Sequence, residues 1–351
     1  MTTHEIIIGN SNNMSSIPNR SIDLIVTSPP YPMIEMWDEM FSLQNPAIKN
    51  DLELGNGNAA FLKMHDILNS IWKECDRVLA DNGFVCINIG DATRTIGDNF
   101  QLYSNHTQII NQFVSMGYSV LPDIHWRKQS NAPNKFMGSG MYPAGAYVTY
   151  EHEYILVFRK GRRRIFKGEG KMLRQKSAFF WEERNIWFSD LWEIKGTSQT
   201  IISSKADRDR SASFPLEIPF RLVNMYSVEG DTVLDPFAGL GTTNIACMIA
   251  KRNSIGVEIN SEIAEIALNN MNQNVNDLNK IIDNRIKRHM EFIENLPEDK
   301  KVKCYRNSPH GFLVKTKQET AIEIEQLAGI TRKDNKYVCQ YEKYGTPENF
   351  V

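Results

Sequence analysis

Five consecutive residues, Thr27-Ser28-Pro29-Pro30-Tyr31, hold the clearest chemical potential in this chain. Each proline fixes its own φ and drives the residue before it toward extended geometry, so the carbonyls of Ser28 and Pro29 point in set directions. Ser28 adds a hydroxyl that accepts or donates, and Tyr31 adds a flat ring on which another flat group can stack. Such a set suits a planar amide or a nucleobase whose exocyclic NH2 brings two donors. The same five residues would also serve as a proline turn that merely ends a strand. The apolar run Ile22 to Val26 ahead of them reads as a β-strand, which places the loop at the carboxyl edge of a sheet, where open α/β folds keep their ligands.

A second stretch with chemical content is Asp235-Pro236-Phe237-Ala238-Gly239-Leu240-Gly241-Thr242-Thr243. A short apolar strand runs into a Gly-x-Gly turn and then a helix, which turns backbone N–H groups and the helix amino terminus toward a ligand. The next strand, Ile255-Gly256-Val257, ends in Glu258, 23 residues beyond Asp235. An acid at that tip takes ribose hydroxyls in dinucleotide sites. The lack of a lysine after the glycines argues against a phosphate-binding P-loop, and the missing third glycine weakens a nicotinamide site.

Between these anchors, a strand from Phe84 to Ile89 ends in Gly90-Asp91, and adjacency of consecutive βαβ units would bring Asp91 to the Pro-Pro loop. Asp91 is therefore a candidate second carboxylate that orients Ser28 or accepts a proton through it; capping a turn is its other reading. His152, at the entry to a strand, is a structural or a general-base histidine. From Arg159 to Lys176 the cations Arg159, Lys160, Arg162, Arg163, Arg164, Lys167, Lys171, Arg174 and Lys176 face one acid, Glu169. Such a stripe neutralises phosphates and gives affinity without sequence information, or else forms a solvated face. Phe179, Phe180, Trp181, Trp187, Phe188 and Trp192 follow and read as a small core, interleaved with and followed by polar Asn185, Ser189, Asp190, Ser198, Gln199 and Thr200.

Together these segments resemble the amino-methylating DNA methyltransferases. Thr-Ser-Pro-Pro-Tyr is similar to that family's catalytic motif, in the serine form typical of its cytosine-N4 branch, where adenine-N6 members usually carry Asp. Asp-Pro-Phe-Ala-Gly-Leu-Gly-Thr-Thr resembles its cofactor motif, with Leu240 in place of the usual Ser. Trp126-Arg127-Lys128 and Glu151 to Lys160 resemble the strand pair that flanks the target base, and Phe214 to Leu222 the segment that covers the cofactor. The order, catalytic loop first and cofactor half last, is that of the beta group. The resemblance implies a Rossmann-like α/β sheet of seven mostly parallel strands with an inserted target-recognition region. It also implies a catalytic set of Ser28, Pro29, Pro30 and Tyr31, to which strand position adds Asp91, and a cofactor set of Asp235, Pro236, Phe237, Ala238, Gly239, Gly241, Thr242 and Thr243 for S-adenosyl-L-methionine, to which strand position adds Glu258. The implied reaction is methylation of a flipped cytosine N4 in double-stranded DNA, beside a cognate restriction endonuclease, with adenine N6 as the alternative. Trp37 and Met36 are candidates for holding the extruded base.

Composition fits this reading. With 351 residues, 41% of them hydrophobic and 23% charged, the chain can bury one large α/β core and a smaller unit. No run reaches the length of a membrane span and no signal pattern opens the sequence, so a cytoplasmic protein is expected. Cys75, Cys86, Cys247, Cys304 and Cys339 form no CxxC pair, so neither a disulfide framework nor a metal site is expected. The net charge of −2 requires DNA contacts to come from local clusters. The expected organisation is a catalytic half over 1–160, recognition over 161–210, a cofactor half over 211–295 and a small α+β appendage over 296–351.

Overall fold

The computed structural model describes residues 1–128, 137–195 and 214–345. Strands β1 (Thr2–Ile8), β2 (Ile22–Thr27) and β3 (Leu79–Ile89) come first, followed by the β4/β5 hairpin (Ala92–Ile96, Asn99–Tyr103) and β6 (Ser119–Arg127). A two-residue pair β7/β8 (Met137–Gly138, Ala146–Tyr147), β9 (His152–Arg159), β10 (Leu191–Trp192), β11 (Thr232–Asp235) and β12 (Asn253–Glu258) come next. The pair β13/β14 (Tyr305–Arg306, Leu313–Val314), β15 (Glu325–Lys333) and β16 (Lys336–Lys343) complete the set.

Ten of these strands form one sheet in the order β10-β6-β9-β3-β2-β11-β12-β1-β16-β15. Its centre is the expected arrangement, because β3, β2, β11, β12 and β1 run parallel while β9 is inserted antiparallel between β3 and β6. β2 and β11 are each buried at all but one position, as strands covered on both faces must be. One face is covered by α3 (Gly57–Val78) and α4 (Asn105–Ser115), around Trp72 and Phe113. The other carries α7 (Glu217–Tyr226), α8 (Thr242–Ile249), α9 (Ser261–Met271) and α10 (Val275–Glu294), around Phe220, Ile245 and Leu268.

Two expectations change and one holds. Residues 32–58, whose mixed composition and terminal Gly-Asn-Gly-Asn suggest a long loop, contain α1 (Asp38–Gln44) and α2 (Ala47–Glu53), too short for helical periodicity to show, anchored by Phe41 and Ile48 and by a bidentate Arg94–Asp38 pair. The basic and aromatic region contains α5 (Glu169–Lys176) and α6 (Trp181–Trp187), and Phe180, Trp187 and Trp192 are buried as a core. The last residues do not stand apart from the sheet. β16 pairs antiparallel with β1, Tyr337 is fully buried and donates to the Leu268 carbonyl, and Asn279 of α10 bonds both backbone groups of Leu327. The hairpin covers what would otherwise be an open sheet edge.

The two halves of the chain meet through one buried carboxylate. Asp235, 3% exposed at the end of β11, accepts from Thr27 Oγ1 at 2.6 Å and the Phe237 amide at 3.0 Å on Oδ1, and from Thr243 Oγ1 at 2.6 Å on Oδ2. The last residue of β2, the turn after β11 and the first turn of α8 are thereby fixed to one group. Burial pushes the Asp235 carboxyl up from about 3.8 to about 6, against the pull of these three donors. A folded-state value above the unfolded one makes the folded protein hold the extra proton, so the group's contribution declines as pH rises through about 4 to 6. Asp235→Asn removes that titration. Urea unfolding should therefore show wild type losing about 1 kcal/mol relative to the variant between pH 5 and pH 7.5, and equal pH slopes would contradict the assignment.

Candidate active site

Ser28 opens the loop at the carboxyl edge of β2. Its Oγ lies 3.2 Å from the Tyr31 hydroxyl, which donates to Glu153 Oε2 at 2.8 Å. Asn88 of β3 donates through Nδ2 to the same carboxylate oxygen at 2.7 Å, and Nδ2 lies 2.8 Å from the Tyr31 oxygen and 3.4 Å from Ser28 Oγ. Lys128, at the end of β6, pairs with Glu153 Oε1 and lies over the Trp126 ring. Burial, reinforced by the Glu153 charge, holds the Tyr31 phenol well above its ordinary value, so it stays a neutral donor. Gly90 permits this packing, since a Cβ there would come within 3.0 Å of the Tyr31 ring.

The loop forms one wall of a cleft of about 990 Å³ including its open mouth. Ser28, Pro29, Pro30, Tyr31, Lys128 and Glu153 line one end, and Phe237, Gly239, Glu258 and Ile259 the other. Glu258 Oε2 accepts from the Gly239 amide and Oε1 from the Asn260 amide, both at 2.9 Å, which fixes the carboxylate at the tip of β12. Burial raises its proton affinity while these amides oppose the rise. Trp37, Phe41, Ile67, Leu68 and Ile71 give an apolar wall, and Phe237 meets Trp72 edge-on at 5.9 Å. A flat heterocycle against apolar side chains, with a hydroxylated sugar at an anchored carboxylate, matches this end of the cleft.

Several expected residues have other duties. Asp91 does reach the carboxyl edge, but it faces away from Ser28: it accepts from the His106 amide at 3.0 Å and pairs with the His106 ring at 2.8 Å, capping α4, with Ser104 and Tyr150 as further partners. Asp235 turns inward to the hydroxyls of Thr27 and Thr243. Gly241 adopts φ +78° against Ala267, and Thr242 and Thr243 are buried in α8, so these three shape the turn from behind. Pro236 does line the cleft and also offers its carbonyl to the buried Ser11, while Ala238 is buried beneath the turn.

The basic stripe is also elsewhere. Because β9 runs antiparallel to β3, Arg159 ends at the amino edge of the sheet, opposite Ser28. Lys160 pairs with Asp76, Arg164 with Asp231 and Asp23, and Lys176 with Glu323, while Arg159 donates to the Gly161 carbonyl. Arg162, Arg163, Lys167, Lys171 and Arg174 are exposed on that far edge. The stripe therefore does not converge on the cleft. His152 stacks with His125 and meets Tyr150 at a tilt, on the face of β9 opposite Glu153, and burial lowers its pKa. Trp37 lines the cleft and Met36 is exposed outside it. Ser198, Gln199 and Thr200 lie outside the described residues.

Sequence reasoning missed Asn88, Glu153, Lys128, Asn10 and Ser11, all but Asn88 of which line the cleft. Lys128 and Glu153 fall within the two segments matched to the strand pair around the target base, and that pairing was their signal. Asn10 and Ser11 follow β1, whose place beside β12 is visible only in the sheet order.

A family model described as DNA methylase matches residues 22–269. The Type II methyltransferase M.MthZI of Methanothermobacter thermautotrophicus is 50% identical over 346 residues, covering 97% of this chain and 96% of that protein. M.MjaI of Methanocaldococcus jannaschii is 50% identical over 276 residues, covering 76% and 90%. A Thermus thermophilus protein described as a putative DNA modification methylase, solved with S-adenosyl-L-methionine, superposes with a TM-score of 0.59 at 30% identity, over 76% of this chain and 93% of that one. PvuII DNA methyltransferase, cytosine-N4-specific, shares the fold with a TM-score of 0.56 at 18% identity, over 82% of this chain and 94% of its own. The two motifs that meet in the cleft thus belong to a known architecture, and the chain is a member of the N6/N4 DNA methylase family, which depends on S-adenosyl-L-methionine.

Proposed function

We propose that this protein is a Type II, site-specific methyltransferase acting on the N4 amine of a cytosine flipped out of duplex DNA, as the modification partner of a restriction endonuclease. The observation that supports it most is the meeting of Ser28 with Gly239 and Glu258 in one cleft. S-adenosyl-L-methionine, when bound, supplies a methyl already activated on a sulfonium. What the protein must add is alignment and a usable nitrogen lone pair.

The lone pair of a nucleobase amine is delocalised into the ring. Hydrogen bonds accepted by Ser28 Oγ and the Pro29 carbonyl favour a more pyramidal nitrogen and take up its developing positive charge. An amine inside the duplex is stacked, so the base must rotate into the cleft, where Tyr31 and Trp37 offer aromatic faces. Glu258 would take the ribose hydroxyls of the cofactor, Phe237 its heterocycle, and the amide-fixed turn at Gly239 its close approach. The serine at 28, where adenine-directed relatives usually carry Asp, supports cytosine over adenine.

Digestion of DNA methylated by the protein, followed by mass analysis of nucleosides, should yield N4-methylcytosine; N6-methyladenine would replace that reading with the adenine one. Ser28→Ala should lower kcat by roughly 100-fold and leave cofactor affinity within about twofold, measured with tritiated cofactor and by calorimetry. Glu258→Gln should weaken cofactor binding at least about tenfold with little change in DNA affinity. Because the exposed cations sit on the far edge, replacing Arg162, Arg163, Lys167, Lys171 and Arg174 together by Gln should leave the salt dependence of DNA binding unchanged. A slope reduced by several units would restore the stripe as the phosphate contact.

A further inference from the structure

We infer that Glu153 sets the direction of the hydrogens along Tyr31 and Ser28, leaving the Ser28 oxygen free to accept from the target amine. The inference rests on the methyltransferase reading of the cleft and holds for either amino substrate. An ionised carboxylate only accepts. With Lys128 on Oε1, Glu153 Oε2 receives the Tyr31 hydroxyl at 2.8 Å and the Asn88 amide at 2.7 Å. Tyr31 has thereby spent its single hydrogen, and its oxygen accepts. The neighbours of that oxygen are Asn88 Nδ2 at 2.8 Å and Ser28 Oγ at 3.2 Å. Ser28 can satisfy it only by donating, which turns its own lone pairs toward the cleft.

Asn88 reinforces the same direction. Its nitrogen, not its oxygen, must face the carboxylate, and its Oδ1 is buried without a partner among the described residues. A buried carbonyl left unpaired costs free energy, so the side chain is held there for its donors. Asp91, the other nearby acid, is committed to His106 and cannot play this part. Glu153 is thus a positioning residue that acts on the reaction through Tyr31.

Glu153→Gln keeps shape but not direction. The Lys128 ammonium favours the new carbonyl at the Oε1 position, which turns the new NH2 toward Tyr31 and reverses the chain, so that Ser28 presents a hydrogen to the amine. The test is a cycle of wild type, E153Q, Y31F and Y31F/E153Q. Methyl transfer is measured from tritiated S-adenosyl-L-methionine to genomic DNA from a host lacking the modification, and cofactor and DNA affinities are measured separately. E153Q should lower kcat about 10- to 100-fold, with both affinities within about twofold, and should have no further effect in the Y31F background. Losses that multiply, an unchanged kcat, or a loss that appears in binding would overturn the inference. If E153Q does not fold, E153M, which cannot direct a hydrogen, enters the same cycle. Nucleoside analysis of the wild-type product reports separately on the cytosine reading, so coupling on adenine would sink that reading and leave this one standing.

Discussion

A carboxylate with almost no contact with water sets the geometry on which the rest depends. Asp235 is not exposed to the cleft, yet it decides that the cleft exists, because Thr27 and Thr243 come from parts of the chain more than two hundred residues apart and end on its two oxygens. Three donors partly offset the desolvation of the buried charge, and burial still raises its carboxyl to about 6. The serine loop and the glycine turn are then held as adjacent edges of neighbouring strands. Each motif is locally rigid, one through prolines and the other through Gly241 in the left-handed region, and Asp235 converts two rigid pieces into one surface.

Much of this was legible in the sequence, for physical reasons. Buried parallel strands announce themselves as apolar runs, and both loops announced themselves through Pro and Gly at positions where the backbone has few alternatives. Side-chain direction was not legible. Asp91 and Asn88 are three residues apart at the end of one strand, and proximity to Ser28 favoured the acid. Only the fold shows the acid turned to the amino end of α4 while the amide faces Tyr31. Glu153 was hidden because β9 is inserted antiparallel, which carries a residue more than a hundred positions from Ser28 to the same edge.

That inversion also accounts for the basic stripe. Counting charge along the chain locates cations in sequence, while strand direction decides which edge they occupy. A run that follows an antiparallel strand emerges at the edge away from the ligands, and there its members meet acids at the amino ends of the parallel strands, as Arg164 meets Asp23 and Asp231. Acidic partners neutralise three of the nine cations, Lys160, Arg164 and Lys176, while five others stay exposed on that edge.

The position of β1 has a consequence for how the molecule assembles. Its residues lie between β12 on one side and β16 on the other, with His4 opposite both Ser254 and Tyr337. A ribosome therefore releases this segment long before either neighbour has been made, and its closure must wait for encounters of very high contact order. Until then it is an unpaired strand with an exposed backbone, the kind of segment that chaperones shield.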